Sequence, residues 1–239
     1  MNPARSPLYA QTEALLTRRI ADGTWLPGAP LPAEPMLAAE LGVSPGTLRK
    51  ALAALERRRL IERRQGRGTF VATHTSERAL FHFFRIFDSA GAKHTPGSFV
   101  LDCRSGPATP EEAAALGLGA AAAVHRVERI RTLAEEPVIL ERILLPAARF
   151  PGFALPVLRA MHDELYVLYQ RDFGVTIGRA EEQLAAIAAN ETQAAKLRLW
   201  PGAPLLEISR VAYDLADRPV ERRITLLDTR LHRYHAALD

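Results

Sequence analysis

The segment at residues 31–71, LPAEPMLAAELGVSPGTLRKALAALERRRLIERRQGRGTFV, constrains the fold more than any other part of the chain. Apolar residues recur at helical spacing over residues 33–41, and Gly42 follows at a place where helices often end with a positive φ. Ser44 is a favourable N-cap for a second helix. Pro45 suits the first position of that helix, because the N–H that proline lacks has no helical partner there. The segment therefore predicts two helices joined by a tight turn.

The predicted second helix has one apolar face and one polar, basic face. The apolar face consists of Leu48, Ala51, Leu52 and Leu55. Thr47, Arg49 and Lys50 fall off that face, near the N-terminal end of the helix. In a helix-turn-helix motif, this end of the second helix contacts base edges in the major groove of DNA. The pattern predicts that these three side chains face DNA.

A basic hairpin is predicted directly after the second helix. Residues 61–64 and 69–71 suit two short strands, and the turn at residues 65–68 has two glycines that permit close approach to phosphate. A helix pair alone, or the basic run at residues 57–59 alone, is also common at solvated helix ends in other domains. Together the elements predict a winged helix-turn-helix. The predicted DNA-binding residues are Ser44, Thr47, Arg49, Lys50, Arg64, Gln65, Arg67, Gly68 and Thr69.

The distribution of charge agrees with a nucleic-acid partner for this part of the chain. Residues 1–75 carry 11 basic and 6 acidic side chains, a net charge of +5. The remainder carries 20 basic and 21 acidic side chains, a net charge of −1. Because attraction to phosphate dominates nucleic-acid affinity, this concentration of positive charge favours DNA binding by the first segment.

The length of 239 residues suits two domains, which we place at residues 1–74 and 75–239 with a link near residues 72–78. No apolar run approaches the roughly 18 residues that a membrane span needs, and no signal-peptide core is present, so we expect a cytoplasmic protein. The single Cys103 excludes an internal disulfide and a multi-cysteine zinc site. We expect it to be a small buried hydrophobe rather than a redox sensor.

The N-terminal region resembles the GntR family of bacterial transcription regulators. The residues that carry the resemblance are Pro7-Leu8-Tyr9, Trp25–Leu31 (WLPGAPL), Glu34, Val43-Ser44, Thr47-Leu48-Arg49, Ala51-Leu52 and Gln65–Val71 (QGRGTFV). Two positions depart from the family pattern, since Pro45 and Pro35 stand where the family usually has basic residues. The resemblance implies a DNA-binding role at the bacterial nucleoid, but not the family's usual operator sequence.

The second half predicts an α+β domain with antiparallel hairpins. Strands are predicted at Phe99–Cys103, Val124–Leu133, Val138–Leu145, Leu205–Leu215 and Pro219–Thr229. Helices are predicted after the N-cap Thr109, over Asp163–Phe173 and Arg179–Ala189, and over Thr192–Leu199. The turns at residues 134–137 and 216–218 join two of the strand pairs.

Two hairpins of the second half form a pseudo-repeat, because each reads strand, acidic turn, Pro-Val, strand with a glutamate. This region, residues 78–235, resembles the UTRA effector domain of the HutC subfamily, whose fold is shared with chorismate lyase. The resemblance implies an effector pocket over an antiparallel sheet. The effector-binding residues that it implies are Arg129, Arg131, Glu141, Glu164 and Glu221.

The chemistry of the residues leaves two interpretations of the first hairpin. Arg129 and Arg131 share one face of a strand, and an opposed Glu141 could orient them toward a small anion. Alternatively, they form a solvated cross-strand ladder that binds nothing. Sugar-phosphate-sensing relatives tend to have Ser before the Leu-Tyr of the following helix, and here Glu164 stands there and would repel phosphate. We therefore expect a small acid or another non-phosphorylated metabolite as the effector.

A catalytic function is the alternative, since chorismate lyase shares the fold. The seven histidines show no metal-binding spacing; His232 and His235 are more simply part of a solvated tail. Neither a phosphate-binding glycine loop nor a nucleophile elbow is present. We therefore predict a homodimeric, effector-controlled transcription regulator, most simply a repressor, without metal or cofactor. The dimer is expected because one recognition helix reads too few base pairs for specificity.

Overall fold

The protein is described by a computed structural model that covers residues 6–73, 84–161 and 164–236. Its contacts define two compact units, of which the first holds residues 1–74 with 214–218 and the second holds residues 75–213 and 219–239. Among the described residues, no helix is long and apolar enough to cross a membrane.

The first unit contains three helices followed by a two-stranded antiparallel hairpin. The elements are α1 (Leu8–Ala21), α2 (Glu34–Leu41), α3 (Pro45–Arg57), β1 (Ile61–Arg64) and β2 (Gly68–Val71). Leu16, Leu37, Leu48, Leu52 and Leu55 are almost fully buried and form the centre of its core. The predicted order of helix, turn, helix and hairpin is confirmed.

Local sequence explains the turn between α2 and α3. Gly42 ends α2 with φ at +62°, a conformation that costs a glycine little. The Ser44 hydroxyl oxygen accepts a hydrogen bond from the backbone N–H of Thr47 at 3.1 Å, and Pro45 begins α3. Gly42 fixes where α2 ends and Ser44 fixes where α3 begins. Together they set the direction in which α3 leaves the turn.

The second unit is built on a six-stranded sheet in the order β4-β5-β6-β9-β8-β7. Its strands are β4 (Gly97–Pro107), β5 (Ala123–Leu133), β6 (Glu136–Pro146), β7 (Ile177–Ala188), β8 (Pro204–Asp214) and β9 (Pro219–Asp228). Its helices are α4 (Pro110–Ala115), α5 (Leu165–Phe173) and α6 (Glu191–Leu197). A separate antiparallel pair consists of β3 (Ile86–Asp88) and β10 (His232–Tyr234). The predicted α+β class is confirmed.

The two faces of the sheet have different coverings. On the inner face, α5 contributes Leu165 and Tyr169 to a core that includes Val127 and Ile143 of the sheet. On the outer face, α6 packs with Leu140 and other apolar residues. Because side chains alternate along a strand, Arg129, Arg131 and Glu141 share the inner face with α5.

Both predicted hairpins of the pseudo-repeat are confirmed. Strands β5 and β6 pair antiparallel, with Arg129 opposite Glu141. Strands β8 and β9 pair antiparallel, with Arg210 opposite Arg223. The predicted Thr109 cap is also present, as a capping box with Glu112.

The predicted helix over residues 179–189 is wrong, because this segment is strand β7. Its alanines, glutamates and leucine favour a helix, but pairing with β8 at the sheet edge overrides that intrinsic preference. The strand predicted at residues 99–103 is also too short, since β4 is 11 residues long.

Some predictions concern the chain ends and the link between the units. The predicted link at residues 72–78 and the predicted helix start at residue 163 lie wholly or partly outside the described residues. The solvated tail predicted around His232 and His235 is wrong for His232, which is half-buried in β10, and correct for His235, which is exposed although its ring packs edge-on against Phe87. Cys103 is half-buried against the inner core, and burial raises the pKa of its thiol.

Candidate DNA-binding surface and effector pocket

The N-terminal end of α3 presents polar side chains to solvent. Ser44, Arg49 and Lys50 are exposed, and Thr47 is held against the Ser44 hydroxyl at 2.9 Å between the two side-chain oxygens. The apolar residues of α3 are buried beneath them. The fold therefore presents the side chains that sequence reasoning selected for base contacts on one accessible surface.

Glu34 joins this helix end to the hairpin. Its carboxylate lies 3.3 Å from Nε of Arg49 and 3.6 Å from a guanidinium nitrogen of Arg63. Exposed ion pairs of this kind contribute about 0–1 kcal/mol, so their effect is to orient the arginines rather than to stabilise the domain. Arg49 stays 71% exposed and can exchange Glu34 for a DNA contact.

The hairpin carries two arginines with different surroundings. Arg64 donates to Glu62 at 2.8 Å, and its guanidinium lies 4.5 Å from the centre of the Phe70 ring. Arg67 sits between Gly66 and Gly68, whose φ angles are +70° and +107°. Arg67 and Lys50 form no ion pair within the described part of the chain. They are therefore cations available to phosphate.

In the second unit, the two arginines of β5 are buried rather than solvated. Arg129 is 1% exposed and Arg131 is 2% exposed. The Arg129 Nε donates to Glu141 across the strand pair at 2.6 Å. The alternative of a solvated cross-strand ladder, which would contribute little free energy, does not apply to these arginines. They are desolvated, and desolvated ion pairs of this kind are strongly coupled.

Glu141 is the centre of the inner-face charge cluster. Besides Arg129, it lies 3.2 Å from a guanidinium nitrogen of Arg223 and accepts from the Thr225 hydroxyl at 3.3 Å. Burial by itself raises the pKa of this carboxyl group. The charges of Arg129, Arg223 and Arg131 outweigh the burial and hold the pKa well below its usual range. Glu141 is therefore ionised at neutral pH.

Glu221 forms a second anchor beside the first. It accepts hydrogen bonds from the hydroxyls of Tyr166 at 3.0 Å and Tyr169 at 2.8 Å, and it lies 2.7 Å from Arg223. Burial, and then the Glu221 charge, raise the pKa of Tyr166 to about 12. Both tyrosines therefore remain protonated donors, and α5 is fixed to the sheet through them.

Arg131 and Glu164 meet at the N-terminal end of α5. Glu164 is the residue before the helix, and its carboxylate forms an ion pair with Arg131. The Arg131 guanidinium also lies 4.9 Å from the centre of the Phe84 ring. Burial and the neighbouring charge of Arg129 lower the pKa of Arg131 to about 10, so it stays charged at neutral pH.

These groups surround a cavity of about 40 Å³ on the inner face. The residues on its wall are Phe84, Arg85, Ile86, Arg131, Glu141, Glu164, Leu165, Tyr166, Ile208, Arg210, Arg223, Thr225 and Tyr234. Of the sequence-predicted residues, Arg131, Glu141 and Glu164 lie on the wall, whereas Arg129 and Glu221 are buried next to it. Nη2 of Arg129 and Nε of Arg131 are buried without a hydrogen-bond partner among the described residues.

Sequence reasoning missed six polar residues of the wall: Arg85, Tyr166, Arg210, Arg223, Thr225 and Tyr234. The pseudo-repeat contained a signal for two of them. Arg210 and Arg223 are opposed in the second hairpin as Arg129 and Glu141 are opposed in the first. Aligning the hairpins by strand register, rather than by the shared glutamate, would have selected both arginines.

Other chemistry-bearing groups do not form a metal site within the described ranges, where no cluster of three possible ligands occurs. His125 is buried, with Nε2 2.8 Å from the carbonyl oxygen of Phe150 and Nδ1 2.6 Å from the Ser105 hydroxyl. The carbonyl can only accept, so Nε2 donates to it, and Nδ1 shares the second hydrogen bond with the Ser105 hydroxyl. This arrangement holds the inner core together.

Comparison with known families identifies both units. The model of bacterial regulatory proteins of the gntR family matches residues 8–71. The UTRA domain model matches residues 91–233. Each match covers the elements that carry the corresponding predicted residues.

Individual relatives agree with the family models. The HTH-type transcriptional repressor NagR of Bacillus subtilis is 33% identical over 212 residues, which cover 87% of this chain and 84% of NagR. The mannosyl-D-glycerate transport/metabolism system repressor MngR of Escherichia coli is 29% identical over 202 residues, covering 84% and 83%. The crystal structure of PhnF from Mycobacterium smegmatis, 25% identical, superposes with a TM-score of 0.56 over 98% of this chain and 99% of PhnF.

The relatives are transcription regulators, so the alternative of a lyase-like enzyme is not supported. The chain is a transcription regulator that binds operator DNA through its first unit and an effector through its second. It belongs to the GntR family of bacterial regulatory proteins and, by its UTRA domain, to the HutC subfamily.

Proposed function

We propose that this protein is a cytoplasmic, homodimeric repressor that a small, non-phosphorylated carboxylate releases from its operator. The observation that carries the effector class is the buried Nε of Arg131 on the cavity wall, which has no hydrogen-bond partner among the described residues, with a second such nitrogen, Nη2 of Arg129, on the same strand face. Buried donors without partners cost about 1–3 kcal/mol each, and a bound carboxylate would relieve that cost.

The charge of the cavity wall supports an anion of low charge. Four arginines line it, namely Arg85, Arg131, Arg210 and Arg223, against the carboxylates of Glu141 and Glu164. Glu164 stands at the helix N-terminus, where a phosphate group would otherwise bind favourably. A monoanion can share Arg131 with Glu164, whereas a dianionic phosphate meets stronger repulsion there. The relative MngR is named for mannosyl-D-glycerate.

The size of the cavity indicates that the effector must open it. A volume of about 40 Å³ holds a few water molecules but is small for a metabolite. Phe84 and Ile86, at and near the start of the second unit, and Tyr234, near its end, form part of the wall. We therefore propose that entry of an effector displaces β3 or β10. Because β3 follows the link to the first unit in sequence, we propose that this displacement changes the spacing of the two DNA-binding units.

The effector class can be tested by thermal shift with matched compounds. Glycerate is expected to raise the melting temperature more than 3-phosphoglycerate does, and other hydroxy acids, sugar acids and amino acids extend the comparison. A ligand at about 100 times its dissociation constant adds about 2.7 kcal/mol, which corresponds to roughly 5–10 °C for a chain of this size. Stabilisation by phosphorylated compounds alone would contradict the proposed class.

We propose that Ser44, Thr47, Arg49 and Lys50 of α3, with Arg64, Gln65, Arg67, Gly68 and Thr69 of the hairpin, form the DNA contact surface. The support is the exposure of seven of these residues, with Thr47 and Thr69 half-buried, and the charges of Lys50 and Arg67, which form no ion pair among the described residues. Two such surfaces in a dimer would read paired half-sites.

Arg49→Ala is expected to weaken operator binding by about 1–3 kcal/mol if Arg49 reads a base. Arg67→Ala is expected to weaken binding to all sequences alike and to reduce the slope of log affinity against log salt by about 1, as for loss of one phosphate contact. Band-shift titrations on the upstream genomic region at several salt concentrations measure both effects.

Arg104→Ala is the matched control, because Arg104 is also 71% exposed and paired with a carboxylate, but it lies on the sheet of the second unit. It should leave operator affinity unchanged. Equal affinities in the Arg49 and Arg67 variants and in the control would refute the assignment of the DNA-binding surface.

A further inference from the structure

Strands β3 and β10 form a short antiparallel pair, which we call the strap and which is separate from the six-stranded sheet. Its register sets His232 opposite Asp88 and Tyr234 opposite Ile86. Ile86 and Tyr234 both lie on the wall of the effector cavity. Since each strand has only three residues, few hydrogen bonds hold the strap, and it can open without unfolding of the whole unit.

Histidines are concentrated at the strap. Of the four histidines in the described part of the chain, three lie in it or against it, namely His94, His232 and His235. The ordinary charge change of histidine falls between pH 5 and pH 8, where no other side chain titrates without a perturbed pKa. The strap therefore carries groups that can respond to pH near neutrality.

His232 is the histidine whose protonation fits the closed strap poorly. It is half-buried, and its Nδ1 is buried without a hydrogen-bond partner among the described residues. A neutral ring tolerates this position, because Nδ1 can be the nitrogen that carries no proton. A protonated ring has an N–H at both nitrogens, so a buried donor would be left without an acceptor.

Two carboxylates lie near this ring, but other donors occupy them. Asp88 accepts from two backbone N–H groups of the turn that follows β3, and its other oxygen lies 2.6 Å from Nε2 of His94. Asp228 accepts from the backbone N–H and the guanidinium group of Arg230, with Nη2 at 2.8 Å. Within the described ranges neither carboxylate bonds to His232. The closed strap therefore offers the buried nitrogen no acceptor.

The electrostatic surroundings agree with this geometry. Burial lowers the pKa of His232; the charges of Asp228 and Asp88 oppose the shift, whereas those of His94 and Arg233 add to it. The closed strap thus favours the neutral ring, and this preference disappears when opening solvates the ring. The resulting stabilisation of the closed strap is complete above the ordinary pKa of about 6.5 and is lost as pH falls below that value.

His94 acts in the opposite sense, because a protonated His94 forms an ion pair with Asp88. The His94 side chain is 46% exposed, and exposed ion pairs contribute little to stability. The buried nitrogen of His232 therefore decides the direction in which the strap responds to acid.

From these observations we infer that the strap is an acid-sensitive cover of the effector cavity, which protonation of His232 opens. His232 is two residues from Tyr234 on β10, and the Tyr234 hydroxyl donates to Glu182 of β7. Opening of the strap breaks this bond and removes part of the cavity wall. Apparent affinity rises with the fraction of protein in the binding-competent state, so the effector should bind more tightly in acid. The inference rests on the effector site proposed above and names its regulation.

Hydrogen exchange of the full-length protein tests the strap without any effector. Amide protection of residues 86–88 and 232–235 is measured at about pH 7.5 and about pH 5.5, on either side of the ordinary histidine pKa, and corrected for the intrinsic exchange rate at each pH. In the unaltered protein, protection should fall about 5-fold or more, the effect of one buried donor without an acceptor. In His232→Asn it should not fall, because asparagine does not titrate.

His235→Asn is the matched control, because His235 is exposed and adjoins the same strand. It should keep the pH response of the unaltered protein. His94→Asn should enlarge the response, since it removes the opposing ion pair with Asp88.

A disulfide across the strap provides a second variant that does not alter His232. Phe87 and Arg233 are directly opposed, so cysteines at both positions in a Cys103→Ser background lie within disulfide range. The oxidised variant should keep its protection at both pH values, and reduction should restore the pH response.

Calorimetric titration with glycerate at the same two pH values connects the strap to binding. The carboxylate stays ionised at both, and its affinity should rise in acid for the unaltered protein but not for His232→Asn. Protection that does not change with pH, or that falls equally in His232→Asn, overturns the inference. Affinity that stays constant while protection falls overturns the strap as the cover of the cavity. Failure of every carboxylate to bind at either pH overturns the proposed effector class instead, because the exchange measurement does not depend on it.

Discussion

Glu141→Gln is expected to destabilise the effector-binding unit by about 3–5 kcal/mol, the cost of removing one partner from a buried ion pair. The substitution keeps the volume of the side chain but removes the charge that balances Arg129 and Arg223. Both guanidinium groups stay buried, so the loss cannot be recovered from water. Thermal denaturation should show a melting temperature lower by at least about 6 °C.

Glu128→Gln on the same strand pair is the control. Glu128 lies on the outer face, is 25% exposed and pairs with Lys196 at 2.5 Å. Exposed pairs contribute about 0–1 kcal/mol, so this variant should be close to the unaltered protein. Similar losses in the two variants would show that the inner cluster is not the buried network described above.

The same glutamate predicts a dependence of stability on pH. The folded pKa of Glu141 is held below its usual range, so the folded state keeps the charge that the unfolded state loses first. Its stabilisation is complete above the unfolded pKa of about 4.3 and is lost as pH falls below that value toward the folded pKa. Between pH 5 and pH 3, the unaltered protein should therefore lose more stability than Glu141→Gln does.

The first unit could be predicted from sequence almost completely, because its signals are local. Gly42, Ser44 and Pro45 each act on the backbone within one turn, so the break between α2 and α3 follows from residue chemistry alone. The hairpins of the second unit were also predictable, since each combines alternating strands with a short turn. In the helix turn of the first unit and in the hairpins of the second, the interacting residues are close in sequence.

The elements that could not be predicted depend on partners that are distant in sequence. Strand β7 has the composition of a helix, and only the neighbouring β8 makes it a strand. Strands β3 and β10 are three residues each and pair across more than 140 residues. The effector cavity likewise needs Arg210 and Tyr166 from separate elements, and no local pattern indicates that they meet.

Arg131→Ala is expected to leave operator binding intact and to abolish release by effector at concentrations that release the unaltered protein. Arg131 is a wall residue whose buried Nε has no hydrogen-bond partner in the described part of the chain, so it is the group we expect a carboxylate to bind. Loss of a buried charged contact of this kind costs about 2–5 kcal/mol, or roughly 30-fold or more in effector affinity. Operator band shifts titrated with glycerate, or with whichever carboxylate gives the largest thermal shift, measure the effect.

Two features of the site make this variant interpretable. Glu164, the partner left behind, is 16% exposed and can be solvated, so the substitution should damage the fold less than a change at Glu141 does. Arg142→Ala on the outer face of the neighbouring strand is the control, because Arg142 is exposed and forms no ion pair among the described residues. At a fixed effector concentration, an effector that binds more weakly occupies less of the protein and therefore releases less DNA. Normal release in the Arg131 variant would mean that the effector binds elsewhere, and loss of release in both variants would mean that the arginines act through the fold rather than through the ligand.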